Sequence, residues 1–432
     1  MTDRRELNNQ KVINAWAIFD WANSAYALVI TTAIFPKYFL AVTDPVIQVG
    51  GLSITNSSMY AYSISLAYII IALCSPALSG IADSSGRKKL FLRTFTTLGA
   101  TACIALFYFK GMNQLYLGAG AFILATIGFS GGLVFYNSYL PEIATEDQYD
   151  RVSARGFAYG YVGSVILLLI NLTIILKPEM FGITTAGLPA RIAFVMVGMW
   201  WIGFSQITFK YLPKDRKTQL NAGLLTRGFG EIKRVWAELK TMRNTRLFLL
   251  AFFCYSAGVQ TVIYMASTFA DVELKFPASE LIALIIILQL VAIGGAYLFA
   301  HLSKLRGNKF SLITMLVIWI SICGGAYLVY EKWQFYLISI AVGMVMGGIQ
   351  ALSRSTYSKL LPDDLHDTTS YFSFYDVLEK LAIVAGTFSF GFIENLTGGM
   401  RNSVLALGMF FVVGILLLMN VRINNTVVSA RS

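Results

Sequence analysis

Charge is what this chain has least of. Only 13% of its 432 residues are Asp, Glu, Lys or Arg, about half the share of an ordinary soluble domain, which excludes a conventional water-facing surface. Histidine is almost missing: His301 and His366 stand far apart in predicted loops, so no histidine metal centre is expected. The four cysteines, Cys74, Cys103, Cys254 and Cys323, all fall in apolar runs, without disulfide or zinc spacing, and read as packing residues. There is no serine nucleophile elbow, no metal-ligand cluster and no glycine-rich phosphate loop with Lys and Ser or Thr. Enzyme chemistry, ATP use and any cofactor are therefore not expected. Strict apolar–polar alternation is also lacking, which excludes a transmembrane barrel.

What fills the chain instead is apolar: 56% of it is hydrophobic, in runs long enough for a hydrocarbon core of about 30 Å. Helices are the remaining spanning option, because each backbone polar group needs an internal partner. The runs lie near 14–40, 58–80, 90–110, 113–136, 154–176, 190–212, 246–270, 279–300, 310–330, 333–356, 369–392 and 402–421. Lys and Arg distribute unequally around them. Arg4, Arg5, Lys11, Arg87, Lys88, Lys89, Arg93, the basic residues of 210–246, Lys304, Arg306 and Lys309 fall on one side. Lys37, Lys110, Lys177, Arg191, Lys275, Lys332 and Arg401 fall on the other. The positive-inside rule then predicts cytoplasmic termini. The net charge of +11 is topology, and no nucleic-acid partner is expected. The first run is too long for a signal peptide, carries Asp20 and Trp21, and lacks a small-residue cleavage site.

The chain repeats itself. A shift of 221 positions lays 137–163 on 358–384, with Pro141-Glu142 on Pro362-Asp363, Gly86 on Gly307 and Lys88 on Lys309; a shift of 234 lays Phe19 on Phe253 and Ser24 on Gly258. The expected architecture is an all-α membrane protein, twelve transmembrane helices in two pseudo-symmetric six-helix bundles. The bundles are residues 1–212 and 246–432, joined by a linker at 213–245. In the linker Leu224, Leu225, Phe229, Ile232, Val235, Trp236 and Leu239 recur at helical spacing among basic residues, which predicts an amphipathic tether on the inner membrane face. The external segment 41–57, rich in Thr, Ser, Gly and Asn, reads as a surface loop. Parallel repeats of this kind place a substrate site between the halves, near the midplane.

The loop Gly80-Ile81-Ala82-Asp83-Ser84-Ser85-Gly86-Arg87-Lys88-Lys89 resembles the signature loop of the major facilitator superfamily, with Ile81 for the usual Leu. Its glycines suit a tight turn, and Asp83 suits a helix N-terminus or a basic partner. The resemblance implies a breakable latch on the cytoplasmic side; in the second copy, Lys304 to Lys309, the acid is lost. The run Phe19-Asp20-Trp21-Ala22-Asn23-Ser24-Ala25-Tyr26 is similar to the superfamily branch of the yeast vacuolar amino-acid effluxers of autophagy and their bacterial relatives. Ser353-Arg354-Ser355 and Tyr371-Phe372-Ser373-Phe374-Tyr375-Asp376-Val377-Leu378-Glu379-Lys380 support this. That resemblance implies amino acids or related solutes as cargo, with export favoured, and a bacterial inner membrane as the setting.

An intramembrane carboxylate costs about 2.5–3.5 kcal/mol on insertion scales and should face protein or water. Asp20 is thus a proton or substrate contact or a buried counter-ion, with Asn23 and Tyr26 roughly on its face. In span eleven, Asp376, Glu379 and Lys380 share one helical face. Asp376 pairs with Lys380 in the favoured order, which leaves Glu379 as the surplus acid and the leading candidate for carrying a proton, with pairing to an Arg of the first half as the competing account. Tyr136, Asn137, Tyr255, Gln260, Tyr264, Gln289 and Gln350 add neutral hydrogen-bonding groups on spans four, seven, eight and ten, which line the cavity (span eight excepted) as the superfamily resemblance implies. Near the cytoplasmic ends, Glu142, Arg155 and Arg354 are gate candidates, with headgroup snorkelling the competing account for Arg354. The sequence points to a secondary carrier of a small polar solute, monomeric and proton-coupled, working by alternating access. The rivals are a substrate sensor of the same fold and a flippase for lipid-linked cargo.

Overall fold

The computed structural model describes residues 7–49, 51–215, 224–362 and 368–423. Arg4, Arg5, Asp363 and His366 lie outside them, as do the side chains of Leu224, Leu225 and Phe229. Eleven helices among the described residues are long and apolar enough to cross a membrane. They are Gln10–Val42, Asn56–Ser85, Lys88–Tyr108, Met112–Asn137, Glu146–Leu176, Leu188–Tyr211, Arg243–Leu274, Glu280–Arg306, Asn308–Leu328, Lys332–Lys359 and Met400–Met419. The twelfth, Thr368–Thr397, is equally long but carries Asp376, Glu379 and Lys380 in its first half. Placed in chain order it is the eleventh span. The protein is an all-α membrane protein with twelve spanning helices in two bundles.

By backbone contact the chain divides into two compact units. One holds Gln10–Tyr139 and Tyr159–Gly230; the other holds Met1–Asn9, Leu140–Ala158 and Glu231–Ser432. The connection after the fourth span and the first turns of the fifth thus pack with the C-terminal helices. Glycine sets how tightly those helices pack. A Cβ on Gly347 would strike the Ala292 carbonyl, one on Gly295 the Met344 carbonyl, and one on Gly343 would lie 2.8 Å from the Leu288 carbonyl. The eighth and tenth spans therefore touch backbone to backbone, as small residues allow in membranes. Gly347→Val is expected to cost about 3 kcal/mol by overpacking. A lost monodisperse peak in size-exclusion chromatography would report it, and a normal peak with normal thermal stability would refute it.

Two features depart from the sequence reading, and a third adds to it. Segment 41–57 contains an antiparallel hairpin, Val46–Val49 with Leu52–Thr55, rather than plain loop. Gly51 has φ +84°, which an L-residue resists. The first span is not uniformly α-helical: Tyr26–Ile34 is wound as a π-helix. Pro36 lacks the N–H that would bond back to the Thr32 carbonyl, and the Thr32 hydroxyl donates to the Ala27 carbonyl at 2.9 Å. The linker helix, Leu224–Thr241, docks on the start of the eleventh span. Val235 and Leu239 are buried, Trp236 stacks on Phe374 with centroids 5.6 Å apart, and Tyr371 donates a hydrogen bond to Glu238.

Candidate functional site

Within the N-terminal unit the first and fourth spans hold a carboxylate in an aromatic frame. Tyr136 donates from its hydroxyl to Asp20 Oδ2 at 2.7 Å. Its ring lies stacked on Trp16 at 4.5 Å and on Phe19 at 4.8 Å, and Trp16 Nε1 donates to the Tyr136 carbonyl at 3.0 Å. The frame fixes the phenol so that it meets the acid without rotamer choice. Asp20 is buried, and its backbone is approached closely by Gly160 of the fifth span. One turn on, Asn23 is fully buried, and neither its Oδ1 nor its Nδ2 has a hydrogen-bond partner among the described residues. Tyr26, at the start of the π-helical turn, shares a 2.7 Å hydrogen bond with Thr126.

The loop 80–89 is built as its glycines require. Gly86 adopts φ +64° and closes the second span, its N–H reaching the Ala82 and Asp83 carbonyls, while the Arg87 N–H bonds the Ala82 carbonyl at 3.0 Å. This is a left-handed helix cap. Gly80 is buried and Asp83 is half-buried. Lys88 is buried over the Tyr139 ring at 5.1 Å and donates to the Ser138 carbonyl at 3.4 Å. The acid at the third span's N-terminus is Asp215, which accepts from the N–H groups of Lys89 at 2.8 Å and Leu90 at 2.9 Å. A carboxylate there satisfies two orphan donors and complements the helix dipole.

Within the C-terminal unit, Lys380 Nζ lies 3.0 Å from Asp376 Oδ1 and 3.1 Å from Glu379 Oε2. Gln260 Nε2 donates to Glu379 Oε1 at 3.1 Å. The reach across from the seventh span is short because Gly386 leaves room for the Ala257 carbonyl and Thr261. Glu379 is therefore bonded as well as Asp376; one ammonium serves both acids. The large exposed apolar residues of the helix, Leu381, Val384, Phe388, Phe392 and Leu396, form a single stripe. At 100° per residue, Glu379 is turned about 180° from Phe388. Its side chain is 25% exposed, so that exposure is not toward lipid. It lies about 17 Å from the helix start at 1.5 Å per residue, deep in a span.

A third cluster gathers at the basic helix ends of the same unit. Asp150 is buried; its Oδ1 accepts from Asn308 at 2.8 Å and its Oδ2 from Ser303 and Lys359, each at 2.8 Å. Lys359 also donates to Asn308 Oδ1 at 2.7 Å, and Asn308 to Thr356 at 2.9 Å. Next to it Arg354, 2% exposed, donates from Nε and Nη2 to Ser153 Oγ and O, both at 2.9 Å, and lies over the Phe157 ring at 4.3 Å. It points into protein, not to headgroups. Thr368 donates to Glu142 at 3.2 Å, and Tyr255 shares a 2.8 Å bond with Ser353. Ala154, Ala296, Ala300 and Ala351 pack as a small-residue core, and every residue from Ala351 to Ser358 is buried. Asn137, Arg155, Tyr264, Gln289 and Gln350 are all half-buried. Asp150, Ser153, Asn308, Lys359 and Asp215 escape the sequence reading. Their signal, isolated charge at the ends of apolar runs, is there, but the pairing spans 209 residues for Asp150 and Lys359.

The family model described as "Vacuole effluxer Atg22 like" matches residues 8–431. The chain belongs to the Atg22-like family. It is 31% identical over 407 residues to the uncharacterized MFS-type transporter YxiO of Bacillus subtilis, covering 94% of this chain and 93% of that one. It is 27% identical over 398 residues to autophagy-related protein 22 of Kluyveromyces lactis, covering 84% and 79%. Among solved structures, the E. coli fucose:proton symporter FucP superposes with a TM-score of 0.68 at 15% identity, over 96% of this chain and 98% of that one. The human organic anion transporter MFSD10 superposes with 0.70 at 12% identity, over 94% and 99%. This Atg22-like protein is thus a major facilitator superfamily transporter, a multi-pass membrane protein and not an enzyme.

Proposed function

We propose that the protein moves a small polar solute, amino acids foremost, across a bacterial inner membrane by alternating access, coupled to protons and in the direction of export. The observation that carries the reading is the Asp376–Glu379–Lys380 cluster. Three charged groups deep in a spanning helix are costly, and the accessible one faces away from the lipid stripe. A scaffold that needed only to fold would carry apolar residues there. Export is supported by the description of the family as effluxers. Proton use is supported by acids placed inside spans and by the likeness in fold to FucP, a fucose:proton symporter.

In this reading residues 1–212 and 246–432 are the two rocking bodies and 213–245 tethers them, with the basic ends cytoplasmic and the chain working as a monomer. Asp20, Asn23, Tyr26, Tyr136, Gln260, Asp376, Glu379 and Lys380 serve the pathway. The Gly80–Lys89 loop, Glu142, Arg155 and Arg354 serve the cytoplasmic latch and gate, and Asp150 with Lys359 joins them. Such contacts make and break between two discrete packings. Reconstitution into proteoliposomes tests it. Glu379→Gln is expected to abolish solute movement driven by an imposed pH gradient while solute counterflow persists. Full gradient-driven flux in that variant would reject the proton role, and absence of counterflow for any solute in the parent protein would reject the carrier.

A further inference from the structure

The Asp376–Glu379 cluster holds one buried carboxylate oxygen with no donor among the described residues, and its chemistry points to the group it would take. Two carboxylates share one lysine, so the cluster carries one negative charge in excess. Glu379 receives donors on both oxygens, from Lys380 and Gln260. Asp376 receives Lys380 on Oδ1, while its Oδ2 is buried and has no donor among the described residues. An ionised oxygen buried without a donor is unfavourable by well over a neutral hydrogen bond. The missing partner must bring an N–H or O–H, and the charge excess selects a positive group.

The surrounding groups do not supply it. On the same helix the titratable neighbours are Tyr375, Glu379 and Lys380; Gln260 of the seventh span bonds Glu379, while Tyr255 of the seventh span and Arg354 of the tenth act on Tyr375. Arg354 is engaged with Ser153 and Phe157. The charges that act on Asp376 are those of Lys380 and Glu379.

We infer that Asp376 and Glu379 form one exchange site, occupied in turn by a proton and by the ammonium group of the cargo, so that the protein is a proton/ammonium-cargo antiporter. This rests on the carrier reading and adds the cargo's chemical class and the basis of coupling. A proton and an R–NH3+ group satisfy the same carboxylate pair and neutralise the same excess charge. They therefore exclude one another. When the site faces the more acidic side a proton takes the pair and the ammonium leaves; when it faces the less acidic side the proton leaves and ammonium is taken. One positive charge replaces one positive charge, and an inward proton gradient drives the amine outward. A cargo whose recognised group is a carboxylate would meet like charge.

The test uses the purified full-length protein in detergent and three probes of one skeleton: phenethylamine, phenylalanine and 3-phenylpropionate. Isothermal titration runs at pH 6, 7 and 8 in two buffers of different ionisation enthalpy. Both ammonium compounds are expected to bind with proton release that rises toward one as the pH is lowered and the empty site takes up its proton, their affinity falling up to about tenfold per pH unit on acidification; 3-phenylpropionate is expected not to bind. Asp376→Asn and Glu379→Gln each leave one acid for Lys380, a balanced pair that should fold. Each is expected to weaken phenethylamine at least about tenfold, the loss of one charge contact, and to abolish proton release. Binding of 3-phenylpropionate equal to that of the amine, amine binding without proton release, or failure of both ammonium compounds to bind would each overturn the assignment. Counterflow measured in the same preparation keeps the carrier reading separate: exchange of 3-phenylpropionate would preserve it while ending this one.

Discussion

Lys380→Ala is expected to abolish transport and to destabilise the protein by about 3–5 kcal/mol, because it leaves the buried Asp376 carboxylate beside the partly exposed Glu379 without the ammonium that serves both. Asp376 and Lys380 side chains are only 3% and 6% exposed, so solvent cannot make up the difference. The double variant Asp376→Asn with Lys380→Ala restores the original excess of one negative charge. It is expected to recover most of the stability, because the stability cost lies in the uncompensated charge rather than in the loss of lysine packing. Coupling of this size between residues in contact is what a double-mutant cycle isolates. Thermal unfolding of the purified variants gives the stability arm, and proteoliposome flux gives the transport arm. A single variant as stable as the parent, or a double variant no better than the single, would show that Lys380 does not hold these acids.

The same helix shows what a sequence can disclose here. Thr368–Thr397 carries three charged residues in its first half, yet the apolar run at 369–392 marks a span there. The Asp376–Lys380 pair is legible because both partners lie on one helix four residues apart. Glu379 as a surplus acid is only half the arrangement. The lysine stem is long enough to serve two carboxylates, and Gln260 arrives from a helix 119 residues away. Distance along the chain hides the rest in the same way. Tyr136 reaches Asp20 across 116 residues, and nothing in either local segment announces it. The hairpin at Val46–Thr55 had its cue, Gly50-Gly51 between β-branched alternations, but short polar segments between spans read equally as loop. The π-helical turn of the first span follows from Pro36 and a β-branched run, which local propensity flags as weak helix without specifying the winding.

The largest functional effect outside the acid pair is expected at Asp150. The second copy of the signature loop, Lys304 to Lys309, lacks its own acid, and Asp150 supplies one from the start of the fifth span through Ser303, Asn308 and Lys359. With Asp150 at 6% exposure and the Lys359 side chain at 10%, removing the carboxylate strands a buried cation, a cost of about 3–5 kcal/mol. That cost falls only on the state in which these residues are packed together. In a carrier with two alternating states, the balance between them should move by roughly two to four powers of ten. Asp150→Ala is therefore expected to leave the protein folded but to populate the state with this end open. In a cysteine-free background, Ser355→Cys reports it: residue 355 is fully buried, and its maleimide labelling should rise at least about tenfold in Asp150→Ala. Ser403→Cys, buried in the twelfth span, should remain unlabelled if the fold is intact. Lys359→Ala should act alike, and the double variant should label no faster than either single one, because the stranded charge is gone. Parental labelling and parental flux in Asp150→Ala would mean that this cluster holds the fold and gates nothing.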